Sequence, residues 1–343
     1  MKALVLTQYN ILEIKDVPKP VPQPDEVLIR VLAAGICGSD VHGIDGSTGR
    51  RIPPIIMGHE ASGVIESAGS EVTGWQPGDR VTFDSTIYRL DDWYSRKGWY
   101  NLSDNRMVLG VSCPDFKREG AFAEYVVVPQ HILYRLPQTV SFEQAAMVEP
   151  VAVALHAVNL TTVSLNDTAV VGGSGMIALF VIQLLRLAGC SKIIAFDLDP
   201  DRLELALQLG ATHTFLADDS HMIREIKEMT HGRGADIGFE VVGISPVLNN
   251  LVSSVRKGGQ ITLVGNVSPE VSLPLQQVVT RQLKIQGSCA ICGEYEPALD
   301  LISRGKVKVD PLISAVVPLE EGAGWFQRLY NREKGVMKVI FKP

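Results

Sequence analysis

The chain has 343 residues, of which 46% are hydrophobic and 20% are charged, and its formal net charge is −6. This length exceeds that of one ordinary hydrophobic core, so it predicts two domains. The negative charge balance and the lack of a Lys/Arg run argue against nucleic acid and anionic membrane surfaces as partners.

The chain start and the cysteines predict a cytoplasmic protein. Residues 1–7 become polar too early for a secretory signal. The longest apolar stretch, 176–187, is interrupted by Gln183 and Arg186, which argues against a membrane span. Five cysteines, an odd number, favour a reducing compartment over a disulfide scaffold.

The first third of the chain is rich in short β-type runs. Residues 1–35 alternate such runs with proline-rich connections, which exclude a long helix and predict an antiparallel, barrel-like start. Strand character returns at 64–69 and 79–83. Residues 86–118, which are rich in charge and aromatics, are predicted to form a long irregular excursion.

A capping box marks the first predicted helix, with Ser141 at the cap and Gln144 three residues later. This helix is predicted to end near residue 149. A second helix, 151–158, then begins with Pro150 at its first turn.

From residue 168 to about 285, strand-like runs alternate with helix-length segments. The runs cover 168–171, 192–197, 213–216, 236–242, 260–265 and 283–287. This rhythm predicts an α/β fold with a doubly wound parallel sheet. Helices at 297–304 and 318–331 and a last strand at 337–341 are predicted to follow.

A glycine-rich turn follows the first of these strands. Residues 173–178 fit the pattern G-x-G-x-x-G/A between a strand and an apolar helix, which predicts a dinucleotide-binding turn. Gly173 allows the tight turn, and Gly175 lets backbone N–H groups approach a pyrophosphate at the helix N-terminus. Ser174, Met176 and Ile177 complete the predicted phosphate contacts. The alternative is a Rossmann-like turn that binds no dinucleotide.

Asp197 ends the next strand, 24 residues after Gly173. A carboxylate there accepts hydrogen bonds from the ribose hydroxyls of NAD and repels the extra phosphate of NADP. Arg202 lies five residues further on and could soften that preference. The other candidate cofactor contacts, at the ends of later strands, are Val242, Val264 and Gly265.

Four residues are candidate zinc ligands: Cys37, His59, Glu60 and Glu149. Thiolate, imidazole and carboxylate groups all bind zinc, and three protein ligands leave one position for water or substrate. Their spacing matches no zinc finger. Taken alone, Cys37 could be a buried apolar residue, His59 and Glu60 a surface pair, and Glu149 a helix-terminal acid.

Several motifs together resemble one family. Residues 58–63 resemble the G-H-E-x-x-G signature of the zinc-containing medium-chain dehydrogenases. Residues 37–42 resemble the motif that contains the first zinc ligand in the polyol dehydrogenases of that family. Residues 147–156 are similar to the E-P-x-x-V-A-x-H stretch. Further matches lie at 120–125, 234–236 and 258–259, so the resemblance covers essentially the whole chain.

The resemblance implies a mostly-β, GroES-like catalytic domain built from residues 1–150 and 288–343, with a Rossmann domain, 151–287, inserted. It implies an active site in the cleft between them, with zinc held by Cys37, His59 and one acid. Glu60 and Glu149 both remain candidates for that acid, and the other one would contact the zinc-bound water. Family members are dimers or tetramers, so a homodimer or homotetramer is expected, paired near 283–289.

The resemblance also implies a reaction, the reversible oxidation of a secondary alcohol, such as a polyol, to a ketone with NAD. Ser39 would take the alcohol proton and pass it through the cofactor ribose to His42, because imidazole titrates close to neutral pH. Three alternatives remain: a threonine-type 3-dehydrogenase, a zinc-free NADPH quinone reductase, and a non-catalytic NAD-binding protein.

The chain departs from its relatives at the second, structural zinc. The four cysteine positions of that site are matched here by Arg89, Asp92, Ser95 and Ser103. The structural zinc is therefore predicted to be absent. Packing of Trp93, Trp99 and Tyr100, or ion pairs such as Arg89–Asp92, would then hold the excursion.

A C-x-x-C pair at Cys289 and Cys292 follows a strand instead of preceding a helix, so it is interpreted as two neutral thiols lining a pocket. Sorbitol enzymes place an arginine where this chain has Ala290, which weakens sorbitol as the substrate. Substrate specificity is expected to depend on the variable segments 43–51, 87–107 and 288–295.

Overall fold

The computed structural model describes residues 1–113 and 116–343. Contacts divide the chain into two units. The terminal unit contains residues 1–149 and 291–343, and the inserted unit contains residues 150–290. Within the described residues, none of the helices combines the length and the apolar character that crossing a membrane requires.

The terminal unit is mostly β-structure before the insertion. Its strands are β1 (Lys2–Gln8), β2 (Ile11–Asp16), β3 (Glu26–Gly35), β4 (Ile55–Ile56), β5 (Glu60–Ala68), β6 (Arg80–Phe83), β7 (Thr86–Ile87), β8 (Met107–Val108), β9 (Val111–Cys113), β10 (Phe116–Arg118), β11 (Tyr125–Pro129) and β12 (Leu133–Arg135). Its short helices are α1 (Gly38–Val41), α2 (Trp93–Arg96) and α3 (Phe142–Ala145). Helix α3 has the predicted capping box, because Ser141 accepts from the backbone N–H of Gln144 and Gln144 accepts in return.

The insertion begins within helix α4 (Val148–Asn159). It contains β13 (Thr168–Gly172), α5 (Met176–Leu187), β14 (Lys192–Asp197), α6 (Pro200–Gln208), β15 (His213–Leu216), α7 (Met222–Met229), β16 (Ala235–Glu240), α8 (Ser245–Ser254), β17 (Val255–Leu263), α9 (Leu275–Thr280) and β18 (Lys284–Gly287). The chain then returns through α10 (Tyr295–Ser303), β19 (Ile313–Pro318), α11 (Gly322–Tyr330) and β20 (Lys338–Lys342).

The inserted unit is the predicted doubly wound parallel sheet. Its six strands run in the order β15-β14-β13-β16-β17-β18, and every neighbouring pair is parallel. The strand order reverses beside β13, the position where open α/β sheets bind ligands. Strand β13 is buried along its whole length, as expected for a central parallel strand. The α/β fold class is therefore confirmed.

In the terminal unit, β3 is the central strand of a seven-stranded sheet. It pairs with β5, β11 and β20, so strands from both chain ends meet on it. The register sets Gly35 opposite both Glu60 and Ile340. Behind this sheet, the Phe122 ring contacts the rings of Phe326 and Phe341 edge-on in the buried core. The pairing of β3 with β5 and β20 positions the candidate metal site described below.

The excursion at 86–118 contains only short elements, and residues 114–115 lie outside the described residues. The prediction of an Arg89–Asp92 ion pair is wrong, because Arg89 pairs with Asp91. The Asp92 carboxylate instead accepts the backbone N–H groups of Tyr94 and Ser95 at the start of α2. Trp93 and Trp99 lie beside each other, with ring centroids 6.3 Å apart, but both are more than half exposed.

Half-buried Tyr100 connects this excursion to neighbouring segments. Its ring stacks on Tyr88 with centroids 4.3 Å apart, and its hydroxyl donates to Asp84 Oδ2 at 3.1 Å. The same hydroxyl accepts the backbone N–H of Gly293 at 2.7 Å, and Cys292 Sγ lies 2.8 Å from the Gly98 carbonyl oxygen. Hydrogen bonds thus connect the excursion to the returning C-terminal segment.

Candidate metal centre and dinucleotide site

Three of the predicted zinc ligands converge in the terminal unit. One ligand atom each from Cys37, His59 and Glu60 lies within 4.8 Å of the others. Cys37 follows β3 and caps α1, whereas His59 and Glu60 lie at the start of β5. Antiparallel pairing of β3 with β5 therefore brings the two sequence motifs together. Among the described residues this is the one such group of three.

Buried charges surround His59. Its Nδ1 atom lies 3.5 Å from Asp40 Oδ1, and both side chains are almost fully buried. Burial opposes protonation of the imidazole, but the negative charges of Asp40 and Cys37 outweigh this effect and raise the pKa of His59. Burial likewise opposes ionisation of Asp40, but His59 and Arg51 lower its pKa below the usual range.

Glu60 is paired with a residue from the far end of the chain. One of its carboxylate oxygens contacts Lys338 Nζ, and both side chains are completely buried. Lys338 also donates to the Ile36 carbonyl oxygen at 2.9 Å. The other oxygen of Glu60, Oε1, is buried without a hydrogen-bond partner. A buried oxygen of this kind needs a partner, which a bound ion or a water molecule can supply.

Glu149 lies outside the group of three, at the start of α4. Its Oε1 atom accepts from Ser85 Oγ at 3.3 Å. Burial raises the pKa of Glu149, and the nearby charge of Glu60 raises it further, against the opposing effects of His59 and Lys338. The structure therefore groups Glu60, and not Glu149, with Cys37 and His59.

The donor set suits a zinc ion. Cys37, His59 and Glu60 offer one sulfur, one nitrogen and one oxygen, the ligand types that zinc prefers. Glu60 Oε1 is buried and makes no hydrogen bond in the described part of the chain, so it is available to a metal ion. Three ligands also leave a coordination position for a substrate oxygen, which a catalytic site requires.

The two predicted relay residues lie on or next to α1, directly after Cys37. Ser39 is exposed, and its hydroxyl donates to Cys37 Sγ at 3.3 Å. His42 ends α1 and is exposed, so its ring can exchange protons with solvent. Ser39 thus places a hydroxyl next to the Cys37 sulfur, and His42 follows at the end of the same short helix.

The glycine-rich turn has the predicted geometry in the inserted unit. Gly173 has φ of +97°, a conformation that L-residues with side chains rarely adopt. Gly175 caps α5, so the N–H groups of Met176 and Ile177 lie in its first turn. Ser174 Oγ is buried without a hydrogen-bond partner, which fits a polar ligand at this turn.

Asp197 ends β14, and its Oδ2 atom accepts the backbone N–H of Ser174 at 2.6 Å. The carboxylate therefore lies directly beside the glycine-rich turn. Arg202 is directed to Asp199, with Nε 3.6 Å from Oδ2. Both side chains of this pair are partly exposed, so the contact is a weak surface ion pair.

The remaining candidate cofactor residues lie around Glu240, which the sequence reasoning missed. Both Glu240 carboxylate oxygens accept the backbone N–H of Gly243 at 2.8 Å, and Oε1 also accepts that of Val242. The Glu240 carbonyl oxygen accepts the N–H groups of Val264 and Gly265. An acidic residue near the end of a predicted parallel strand is the sequence signal that could have identified Glu240.

Cys289 and Cys292 fall in different units. Burial raises the pKa of Cys292, which favours the neutral thiol expected from the sequence. Of the four positions matching the structural zinc site, Asp92 caps α2 and Arg89 pairs with Asp91. These contacts use two of the four side chains at the positions that the family resemblance assigns to a structural zinc site.

Comparisons with known proteins agree with this architecture. Residues 23–138 match the alcohol dehydrogenase GroES-like domain family, and residues 177–304 match the zinc-binding dehydrogenase family. Sorbitol dehydrogenase of Bacillus subtilis (strain 168) is 31% identical, with 100% of this chain and 97% of that protein covered. D-xylulose reductase A of Aspergillus niger is 33% identical, with 96% and 94% covered.

Solved structures give the same result. A protein described as a short chain alcohol dehydrogenase (rspB) of E. coli CFT073, complexed with NADH, superposes with a TM-score of 0.92 at 27% identity, with 100% and 99% of the two chains covered. A Sinorhizobium meliloti 1021 protein bound to NADP has a TM-score of 0.91 at 30% identity, with 100% and 99% covered. The chain belongs to the zinc-binding medium-chain alcohol dehydrogenase family, whose enzymes act on CH–OH groups.

Proposed function

We propose that this protein reversibly oxidises a secondary alcohol of a polyol or related hydroxylated small molecule to a ketone, with hydride transfer to NAD. The observation that carries this proposal is the convergence of Cys37, His59 and Glu60 within 4.8 Å, next to the hydroxyl of Ser39. The similarity to a sorbitol dehydrogenase and a D-xylulose reductase supports the polyol class.

Cys37, His59 and Glu60 would hold the zinc. A zinc ion bound there supplies Lewis-acid chemistry, which makes an alcohol oxygen more acidic. Lys338 keeps one oxygen of Glu60 engaged and leaves Oε1 available. Glu149, with a raised pKa, is suited to holding a proton at the edge of this site.

Ser39 and His42 would move the alcohol proton. Ser39 Oγ lies beside Cys37 Sγ, so its hydroxyl is placed to accept a proton released next to the metal group. His42, three positions further along the chain, is exposed and can pass a proton to water. Imidazole suits this last step because its ring nitrogens can both accept and donate a proton.

NAD is the proposed cofactor because Asp197 ends β14 beside the glycine-rich turn. Known structures in the family hold NADH or NADP, so the choice must be measured.

The deciding experiment measures bound zinc per chain and NADH formation over polyols, hydroxy-amino acids and simple secondary alcohols. We expect one zinc, activity lost to a chelator, and the highest kcat/KM with a polyol. If activity were highest with threonine, the proposed substrate class would change from polyols to hydroxy-amino acids. Zinc-free protein that reduces quinones with NADPH, or protein that binds NADH without turnover of any alcohol, would refute the proposal.

We further propose a homodimer or homotetramer in the cytoplasm. Support for assembly comes from β18, which pairs on one side only within the described chain, and from three exposed apolar residues nearby, Val267, Leu275 and Val279. Support for a reducing compartment comes from the five cysteines, all of which are free thiols. Light scattering of Val279→Glu against the native chain tests the assembly; an unchanged mass would place the interface elsewhere.

A further inference from the structure

Arg51 is among the largest fully buried side chains, with 2% of its surface exposed. Its Nη2 and Nε atoms lie 2.7 Å and 3.3 Å from Asp40 Oδ1, and Nη1 donates to the Arg50 carbonyl oxygen at 3.2 Å. Asp40 is completely buried. A buried arginine is uncommon and needs a partner of opposite charge, which Asp40 provides here.

The backbone on both sides of Arg51 is fixed by Ser112. Ser112 Oγ accepts the N–H of Ile52 at 2.6 Å and donates to its carbonyl oxygen at 3.0 Å. The Ser112 N–H donates to the Arg50 carbonyl oxygen at 3.2 Å. The arginine therefore extends inward from a segment whose position is set by hydrogen bonds.

The path of the Arg51 side chain depends on a glycine. A Cβ atom at Gly43 would lie only 2.5 Å from Arg51 Cγ, closer than any normal contact. Gly43 follows α1 by two residues, so the arginine stem passes close to the backbone just after this helix. The lack of a side chain at Gly43 thus leaves room for the Arg51 side chain beside the helix that carries Ser39 and Asp40.

Through two short connections, Arg51 reaches the residues that would hold zinc. The first runs through Asp40, whose Oδ1 lies 3.5 Å from His59 Nδ1 and whose Oδ2 accepts the Cys37 N–H at 3.3 Å. The second runs through Ser39, because Arg51 Nη2 lies 3.4 Å from the hydroxyl oxygen that donates to Cys37 Sγ.

We propose that Arg51 is a positioning residue of the metal centre, which fixes the Asp40 carboxylate between His59 and the Cys37 backbone and holds Ser39 beside the Cys37 sulfur. This inference rests on the proposed zinc site. Outer residues that orient metal ligands typically contribute 10- to 100-fold to metal affinity. Without the guanidinium, Asp40 would lose its main partner and could no longer define the orientation of His59.

The test compares Arg51→Met with Arg50→Met, because Arg50 is the neighbouring, exposed arginine and its loss removes the same charge. Zinc affinity of the metal-free protein is measured by competition with a chromophoric chelator, and circular dichroism reports whether each variant is folded. We expect Arg51→Met to bind zinc about 10-fold or more weakly. Arg50→Met should match the native chain.

A double-mutant cycle shows whether Arg51 acts through Asp40. In an Asp40→Asn background, Arg51→Met should weaken zinc binding by much less than it does alone. Equal effects of Arg51→Met in the two backgrounds would overturn the assigned route. Zinc affinity of folded Arg51→Met within twofold of the native value would overturn the inference itself.

Two further variants decide the question if Arg51→Met does not fold. Arg51→Lys keeps the charge but not the forked geometry, and Gly43→Ala displaces the arginine stem without removing any polar group. We expect weaker zinc binding in both. Native affinity in both would refute the role of Arg51. If the native protein itself binds no zinc, the proposed function fails and not this inference alone.

Discussion

The Lys338 ammonium group contacts the Glu60 carboxylate although the two residues are 278 positions apart in sequence. Both side chains are completely buried. The pairing of β20 with β3 places this lysine beside the start of β5. A residue close to the C-terminus thus compensates the charge of an acid in the candidate metal group.

Lys338→Met should be strongly destabilising. Removing one partner of a buried ion pair leaves the other charge uncompensated, which costs about 3–5 kcal/mol of unfolding free energy. Lys342→Met is the matched control, because Lys342 lies on the same strand and pairs with Glu143 at the surface. There we expect less than about 1 kcal/mol. Denaturant unfolding of the metal-free proteins measures both, and equal losses would contradict this assignment.

Metal analysis should give one zinc per chain. Cys37→Ser should reduce this to none, because it removes the thiolate of the candidate group. Cys113→Ser is the control, since Cys113 lies on β9 in the excursion. Two zinc ions per native chain would show that a second site exists despite the residues at positions 89, 92, 95 and 103.

His42→Ala should flatten the pH dependence of kcat near neutral pH, because an exposed imidazole would no longer deliver the proton to water. The zinc content should remain that of the native protein. His221→Ala, which changes an exposed histidine at the start of α7, should leave the profile unaltered. A native profile in His42→Ala would remove this residue from proton transfer.

Asp197→Ser should lower the preference for NAD over NADP by about 10-fold or more, because it removes the carboxylate that accepts from ribose hydroxyls and repels a 2′-phosphate. The ratio of kcat/KM for the two cofactors measures this preference. Asp201→Asn removes a charge from the exposed surface of α6 and serves as control. No change in the ratio for Asp197→Ser would place cofactor selection elsewhere.

Asp84 should make stability depend on pH. Burial raises its pKa from 3.8 to about 7, so the folded chain binds this proton more tightly than the unfolded chain does. The contribution of Asp84 to stability should therefore be greatest below about pH 4, fall as the pH rises to about 7, and then level off. Asp84→Asn should reduce that slope. Melting temperatures from pH 4 to 8 test this, and identical slopes would contradict the assignment.

Many elements of the fold could be predicted from local patterns in the sequence. The capping box at Ser141 and the acid at the end of β14 depend on residues close together in the chain, so both could be predicted. The strands at 192–197 and 213–216 have the predicted bounds. Strand β19 was missed, and β17 begins at Val255, five residues before its predicted start.

The parts of the site that the sequence did not reveal depend on long-range contacts. No spacing rule connects Lys338 to Glu60 or Arg51 to Asp40, because the sheet register and a glycine contact bring these pairs together. The prediction of an Arg89–Asp92 ion pair was wrong because of a local contact. The Asp92 carboxylate caps α2 and accepts its backbone N–H groups instead of pairing with Arg89.

The two units differ in when they can form during synthesis. The inserted unit is one continuous segment, 150–290, so it can fold once that segment has left the ribosome. The terminal unit needs β20, whose last residue is Lys342. Until then Glu60 has no partner for its buried charge. We therefore expect the metal to be acquired only after β20 has been synthesised, by a chain whose cofactor-binding half is already folded.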